Sequence, residues 1–171
     1  IIQFLEQKPL VTLRSMAEKG LNSPPASSAG RLFDAVAAAI GVCRESAGYE
    51  GQAAVELEAL AVESFTDQAG RGYGFDFQNG VMGWSPLWRE RLQDLEAGVE
   101  PGVMAARFHQ GLATAVSATA AGLCRSQGID RVVLSGGVFQ NRLLLERTSQ
   151  LLRQERLQVL APLQLPANDG G

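Results

Sequence analysis

The spacing of apolar residues along this chain is mostly helical. Between Ser28 and Gly41 the apolar positions fall three or four residues apart, as on one face of a helix. Ser27 or Ser28 suits the start of that helix and Gly41 its end. Pro86 and Pro101 suit the first turn of two others. The predicted helices are 3–19 with an interruption at Pro9, 29–40, 53–65, 85–95, 101–126 and 140–153.

Short segments with the composition of strands lie between these helices. Residues 73–77 alternate aromatic with small or polar side chains, which is typical of a half-buried strand. Asn79 and Gly80 then form a hairpin turn signal, and a return strand follows from Val81. Residues 131–134 and 157–160 are rich in Val and Leu. The pattern as a whole predicts a helix-rich α/β fold.

The strongest chemical signal lies between Arg131 and Asn141. A short apolar strand leads to Gly136 and Gly137, and a helix follows. Glycines let the backbone approach a ligand because no Cβ intervenes, and free N–H groups at a helix start favour an anion such as phosphate. Asn141 would point a neutral donor and acceptor into the same crevice. Because many α/β proteins without a nucleotide contain this pattern, a phosphate site and a plain structural turn both stay open.

Composition narrows the class of protein. The 171 residues can bury a core of their own, and 46% hydrophobic and 19% charged residues are ordinary for a globular domain. A net charge of −3 without a basic run argues against nucleic-acid binding. The apolar runs are far shorter than the roughly 20 residues that span a membrane. We therefore expect a cytoplasmic protein without a nucleic-acid or membrane partner.

Two cysteines and one histidine are the reactive candidates. Cys43 and Cys124 have no metal-binding spacing, and we expect apolar helical surroundings that make both poor attacking thiols. His109 lies on a helix rich in alanine and is interpreted as a hydrogen-bonded packing residue rather than a catalyst. With Gly111, the alanines keep this helix thin, which predicts close packing against neighbouring backbone.

Five segments in a fixed order carry a resemblance to a known family. They are Ser27–Gly41, Tyr49–Glu58, Phe108–Ala113, Leu134–Leu144 and Pro166–Gly171. Each is weak alone, but the ordered set is specific and covers nearly the whole chain. The set resembles the C-terminal region of the hydrogenase maturation carbamoyltransferase HypF family. That region is the later part of a domain similar to the tRNA threonylcarbamoyl transferases.

The resemblance implies a fold: the second lobe of an actin-like, sugar-kinase-like ATPase. Residues 1–171 would then be the C-terminal part of the carbamoyl transferase domain. The chain does not begin with Met and stops in a turn-rich segment, so we interpret both ends as cut.

The resemblance also implies a reaction. Proteins of this family take a carbamoyl group from carbamoyl phosphate and activate it with ATP as carbamoyl adenylate. They deliver it to the C-terminal cysteine of a partner, HypE, as a thiocarbamate that becomes the cyanide ligands of nickel–iron hydrogenase. The family's acylphosphatase-like, zinc-finger-like and YrdC-like parts are absent from this sequence. So is the first half of the transferase domain, which supplies a histidine pair and an Asp to a metal site.

Three residue roles on the nucleoside side follow from matching positions. Asp34 resembles the acid that binds ribose hydroxyls in the related tRNA enzymes, although it could also complement the helix dipole. Gly51 would let the backbone lie against adenosine, with Gln52 where the tRNA enzymes have a second glycine. Glu56 adds a polar contact nearby or is a solvated helix residue.

On the phosphate side, Gly136, Gly137 and Asn141 would hold the phosphate and the base. Asp169 resembles the family's ligand to a divalent metal ion, or it forms an ordinary turn before glycine. No catalytic residue is assigned, because the attacking thiol comes from the partner.

Three other interpretations of the function stay open from the sequence. The first is a tRNA threonylcarbamoyl transferase, against which the acidic balance, Gln52 and the inserted Phe139-Gln140 argue. The second is a kinase of the same superfamily, which would also use the Gly-Gly turn. The third is a fragment that binds nucleotide or HypE and catalyses nothing.

Overall fold

The computed structural model describes residues 2–65 and 71–161. Helices dominate this part of the chain, as the apolar spacing predicts, and two pairs of short strands accompany them. The helices are α1 (Ile2–Glu6), α2 (Leu10–Glu18), α3 (Ala29–Ile40), α4 (Gln52–Ser64), α5 (Ser85–Glu96), α6 (Pro101–Gln127) and α7 (Arg142–Gln154). The strands are β1 (Asp76–Gln78), β2 (Val81–Gly83), β3 (Arg131–Val133) and β4 (Gln158–Leu160).

Helix α6 lies at the centre of the described fold. Helices α4 and α7 pack along it, and α3 packs against both α4 and α6. The ring of Phe33 on α3 meets the ring of Phe108 on α6 edge-on, with centroids 4.9 Å apart. Leu57 on α4 and Leu144 on α7 are buried in the same core. This packing brings the beginnings of α3, α4 and α7 together, and the candidate site lies there.

Helix α6 is thin enough to touch the backbone of a neighbouring segment. A Cβ added to Gly111 would overlap the backbone of Tyr73, and one added to Gly72 would overlap the backbone of α6. The amide of Tyr73 donates to the carbonyl oxygen of Arg107 over 3.0 Å. The predicted close packing of this helix against backbone is therefore confirmed at Gly111.

The hairpin between β1 and β2 has the predicted turn. Asn79 and Gly80 both have positive φ, 53° and 80°, as the tight hairpin turn requires. The predicted strand over 73–77 is wrong in its first half, because only residues from Asp76 onward pair in the sheet. The segment before it docks on helices instead. The hydroxyl of Tyr73 donates to a carboxylate oxygen of Asp94 on α5 over 2.7 Å.

Strands β3 and β4 are parallel and are joined through α7, which makes a β–α–β unit. The predicted helix start at Gln140 is wrong by two residues. A 3₁₀ turn, Gly137–Gln140, comes first, and Asn141 then takes an extended backbone before α7 begins at Arg142. The bend that follows β3 is therefore longer than the Gly-Gly pair suggests.

The N-terminal helices confirm some boundary predictions and correct one. Pro9 separates α1 from α2, and Gly41 ends α3 in the left-handed conformation with φ 105°. Ser28 occupies the cap position of α3, but its side chain makes no capping hydrogen bond. Helix α2 buries none of its residues. Across residues 2–65 and 71–161, no helix has the length and apolar character needed to cross a membrane.

Candidate functional site

A cavity of about 500 Å³ opens where the beginnings of α3 and α4 meet the 3₁₀ turn before α7. Its volume falls within the range of about 300–1,000 Å³ that small-molecule sites have. The wall combines apolar side chains with glycine backbone and a few polar groups, which is the usual composition of such sites. The lining residues are Phe33, Ala54, Val55 and Val138, the glycines Gly30, Gly51 and Gly137, and the polar Glu50, Glu58, Gln140 and Asn141.

Three of the residues predicted for the nucleotide line this cavity together. Gly51 precedes α4 with φ 82°, and a Cβ added there would meet no atom within 4 Å. Gly137 and Asn141 bound the opposite wall, where the 3₁₀ turn leads into α7. Gly136 lies next to Gly137 with φ 102° but is outside the lining. Residues 85 or more positions apart in sequence thus form one cleft.

Two predicted acidic residues lie beside the cavity rather than in its wall. Asp34 forms an ion pair of 3.1 Å with Arg31 on the same helix, and its side chain is 42% exposed. Glu56 accepts a hydrogen bond from Gln52 at 2.6 Å and one from the thiol of Cys43 at 3.4 Å. Neither carboxylate lines the cavity. Asp169, predicted as a metal ligand, lies outside the described residues.

Cys43 is not in the helical surroundings that the sequence suggested. It follows the end of α3, with a positive φ of 45°. Desolvation, the hydrogen bond and charge of Glu56, and the charge of Asp34 all raise the pKa of its thiol. A raised pKa disfavours the thiolate, so Cys43 is a poor nucleophile for a different reason from the one predicted. Cys124 is buried on α6, as predicted.

The side chain of Asn141 is held from two sides. Its Oδ1 accepts a hydrogen bond from the backbone N–H of Leu144 over 2.8 Å, which caps the start of α7. Its Nδ2 lies 3.0 Å from Nε2 of His109, which is fully buried on α6. Nδ1 of His109 lies 2.8 Å from the carbonyl oxygen of Ala105. The histidine is therefore hydrogen-bonded and packed, as its interpretation from the sequence proposed.

Glu58 is a site residue that the sequence reasoning missed. Its carboxylate accepts a hydrogen bond from the backbone N–H of Leu143 over 2.9 Å and also lines the cavity. Together with the Asn141 cap it occupies the N–H groups of Leu143 and Leu144, so two of the N–H groups that were predicted to be free at this helix start are already bonded. One signal was available: Glu58 lies four residues after Ala54 and seven after Gly51, on one face of α4.

The charge of the cavity follows from these acids. Glu50 and Glu58 belong to its lining, which contains no Lys, Arg or His among the described residues. A phosphate dianion inside it would meet two negative groups and a helix start that already holds a carboxylate. An uncharged ligand with hydroxyl and amine donors suits the wall better. Within residues 2–65 and 71–161 no cluster of three or more His, Cys, Asp and Glu could hold a metal ion.

The architecture defines a class of protein. A central α6 covered by α3, α4 and α7, with a parallel β–α–β unit, is the second lobe of an actin-like, sugar-kinase-like ATPase fold in its helix-rich form. The fold predicted from the sequence is therefore confirmed.

The comparisons with known proteins then identify the family. Residues 2–171 match the family described as "Carbamoyltransferase, Kae1-like Domain, second subdomain", and the chain belongs to this HypF family. Carbamoyltransferase HypF of Rhodobacter capsulatus is 40% identical over 158 residues, which cover 92% of this chain and 20% of the relative. A carbamoyltransferase HypF homologue of Cupriavidus necator is 36% identical over 167 residues, covering 94% of this chain and 42% of that protein.

Solved structures agree with this assignment. A crystal structure of full-length HypF in the phosphate- and nucleotide-bound form has a TM-score of 0.86 and 32% identity, covering 99% of this chain and 22% of that one. HypF of T. kodakarensis has a TM-score of 0.78 and 25% identity, covering 93% and 20%. The resemblance inferred from the five segments is confirmed. The chain spans about a fifth of the length of most of these relatives.

Proposed function

We propose that this chain is the lobe that holds carbamoyl adenylate while its carbamoyl group passes to the C-terminal cysteine of HypE. It would thereby act in cyanide ligand synthesis for nickel–iron hydrogenase, as part of an ATP-dependent carbamoyltransferase. The observation that carries the proposal is the convergence of Gly51, Gly137 and Asn141 on one cavity in a chain of the HypF family. A nucleotide-bound structure of a HypF relative supports it. In this proposal residues 1–171 are the C-terminal part of the transferase domain.

The cavity suits the nucleoside end of the ligand. Val55 and Val138 offer apolar surface to a base, and the carboxylates of Glu50 and Glu58 can accept hydrogen bonds from ribose hydroxyls or an exocyclic amine. Gly51 lets the backbone lie close to the ligand. The phosphate would extend out of the cavity toward Gly136, which lies outside the lining. Asp34 can join the ribose contacts by releasing Arg31, because an exposed ion pair contributes little to stability.

The proposed transfer step needs little acid–base chemistry from this chain. The thiolate of the HypE cysteine attacks the carbamoyl carbon, the bond from that carbon to the AMP oxygen breaks, and thiocarbamate and AMP result. The lobe would orient the adenylate and exclude water from it. A divalent metal ion, with Asp169 as one ligand, would when bound neutralise charge on the phosphate. Carbamoyl phosphate and ATP are the small-molecule substrates of the whole enzyme in this proposal.

Replacing Asp169 with alanine tests the proposal in the intact natural protein. Transfer of the carbamoyl group to HypE is expected to fall roughly a hundredfold or more, because the variant lacks a ligand to the charge-neutralising metal. Hydrolysis of carbamoyl phosphate, which the proposal assigns to another part of the enzyme, is expected to continue at the normal rate. Both rates are measured on one preparation. Loss of both activities would point to misfolding, and unchanged transfer would remove Asp169 from the site.

Replacing Glu58 with glutamine tests the electrostatics of the cavity. The amide keeps an acceptor for the N–H of Leu143 but removes a negative charge, so affinity for AMP should rise roughly fivefold relative to adenosine. Titration calorimetry with both ligands gives the ratio. Glu63→Gln is the matched control, since Glu63 is exposed on the same helix outside the lining. An unchanged ratio would mean that the phosphate lies beyond the reach of Glu58.

A further inference from the structure

His109 has a tightly defined environment behind the wall of the cavity. It is fully buried on α6, and the rings of Phe33 and Phe108 pack edge-on against its imidazole, with centroids 5.4 and 5.5 Å away. Apolar contacts alone could be made by another aromatic or aliphatic side chain. A buried imidazole is costly unless its nitrogens are paired, so its two hydrogen bonds are the feature to explain.

The direction of each hydrogen bond can be assigned from chemistry. The carbonyl oxygen of Ala105 only accepts, so Nδ1 of His109 carries the proton. Burial lowers the pKa of His109 to about 4, so the ring is neutral at pH 7 and Nε2 has a lone pair. Nε2 therefore accepts from Nδ2 of Asn141. On the other side of that amide, Oδ1 accepts from the N–H of Leu144.

These bonds leave Asn141 a single amide orientation. A flip of the amide would set its oxygen against the lone pair of His109 and its NH₂ group against the N–H of Leu144. One Nδ2 proton is used by His109. The second has no partner within residues 2–65 and 71–161, and Asn141 is a lining residue with 8% of its surface exposed. A ligand in the cavity would therefore meet a donor at this position.

We infer that His109 is a positioning residue for the ligand: it fixes the Asn141 amide so that the second Nδ2 proton is offered to an acceptor atom of the bound nucleoside. This inference rests on the proposed nucleotide site. The matching acceptor is a ring nitrogen or carbonyl oxygen of a base. A phosphate oxygen is disfavoured, because the carboxylate of Glu58 lines the same cavity. His109 itself does not touch the ligand but acts through Asn141.

A double-mutant cycle separates this role from simple packing. The variants are His109→Phe, which keeps an aromatic ring but has no acceptor, Asn141→Ala, and the pair, all in the intact protein. Adenosine is the probe. Its affinity is read from hydrogen–deuterium exchange of the peptide 134–146 as adenosine is titrated, so that only this cavity is observed. Each single variant is expected to lower the adenosine affinity roughly five- to tenfold. The double variant is expected to lower it no more than Asn141→Ala alone does.

The control is Leu152→Ala, which removes a fully buried side chain of α7 that is not in the cavity wall. It should lower stability and leave the adenosine affinity unchanged. If His109→Phe does not fold, His109→Met replaces it in the cycle, because methionine fills irregular space without a strong acceptor.

The outcomes distinguish two failures. If the His109 substitution lowers the adenosine affinity equally with Asn141 present and with Asn141→Ala, the positioning role is overturned. The proposed nucleotide site would not be affected by that result. If adenosine does not protect the peptide in the unaltered protein, the proposed site itself fails, and the positioning role fails with it.

Discussion

Replacing Gly111 with alanine is expected to destabilise the chain by about 3 kcal/mol, close to the upper end of the usual cost of forcing extra atoms into a packed interior. The added Cβ would overlap the carbonyl oxygen of Tyr73, a backbone atom that cannot rotate away. Relief would require α6 and the segment at Gly72 to separate, which would strain the hydrogen bond from Tyr73 to Arg107. For a chain of this length the melting temperature should fall by about 10 °C, as measured by calorimetry.

Gly122→Ala is the matched control for this prediction. Gly122 lies on the same helix, but an added Cβ would meet no atom within 4 Å. Alanine should therefore stabilise α6 there by about 0.5–1 kcal/mol, since it is the better helix former. The same gain in propensity applies at Gly111, so the difference between the two variants isolates the steric effect. Equal melting temperatures would contradict the close backbone contact.

Asn141→Ala is expected to lower the free energy of unfolding by about 2–4 kcal/mol. Loss of the cap on Leu144 accounts for about 1 kcal/mol, and the unpaired Nε2 of buried His109 accounts for about 1–3 kcal/mol. Urea denaturation measures the sum. Hydrogen exchange adds a local test, because the amide of Leu144 should lose its protection first. A loss below about 0.5 kcal/mol would mean that water replaces both contacts.

Asn141→Asp separates the two contributions through pH. Aspartate caps α7 as well as asparagine does, but it sets an acceptor against Nε2 of His109. In the unaltered chain the folded pKa of His109, about 4, lies below the unfolded value of about 6.5. The folded state therefore binds fewer protons, and stability falls as the pH drops from about 6.5 to 4.

In the aspartate variant the new charge favours the protonated imidazole and raises that folded pKa. The variant should be less stable than the unaltered chain at pH 7, and this difference should narrow as the pH falls to 5. Urea denaturation at the two pH values measures it. A difference that does not change with pH would contradict the assignment of Nε2 as an acceptor.

The fold was largely readable from the sequence where local chemistry decides it. Gly41 and the Asn79-Gly80 pair occupy positive φ positions that few other residues tolerate, so their turns fell where predicted. The predicted boundaries of helices and strands were wrong where tertiary contacts determine them. The first half of the strand predicted over 73–77 is not a strand, because Tyr73 hydrogen-bonds to α5 and α6, which lie later in the chain.

The site was predicted in part. The strand–turn–helix pattern indicated Gly137 and Asn141, and the family resemblance indicated Gly51; all three line one cavity. Glu58 escaped notice because its partner, the amide of Leu143, lies 85 residues away and has no side-chain signature. The neighbour of Asp34, Arg31, was visible in sequence, but nothing in the pattern told whether their ion pair would turn the carboxylate away from the cavity.

The bond between Glu58 and Leu143 also bears on how a ligand would enter. This hydrogen bond connects two walls of the cleft, α4 and α7, before a ligand binds. A preorganised pocket loses little conformational entropy on binding, so more of the contact energy remains as affinity. Removing this hydrogen bond should therefore lower the rate of ligand binding and require an induced fit, even if every group that contacts the ligand is kept.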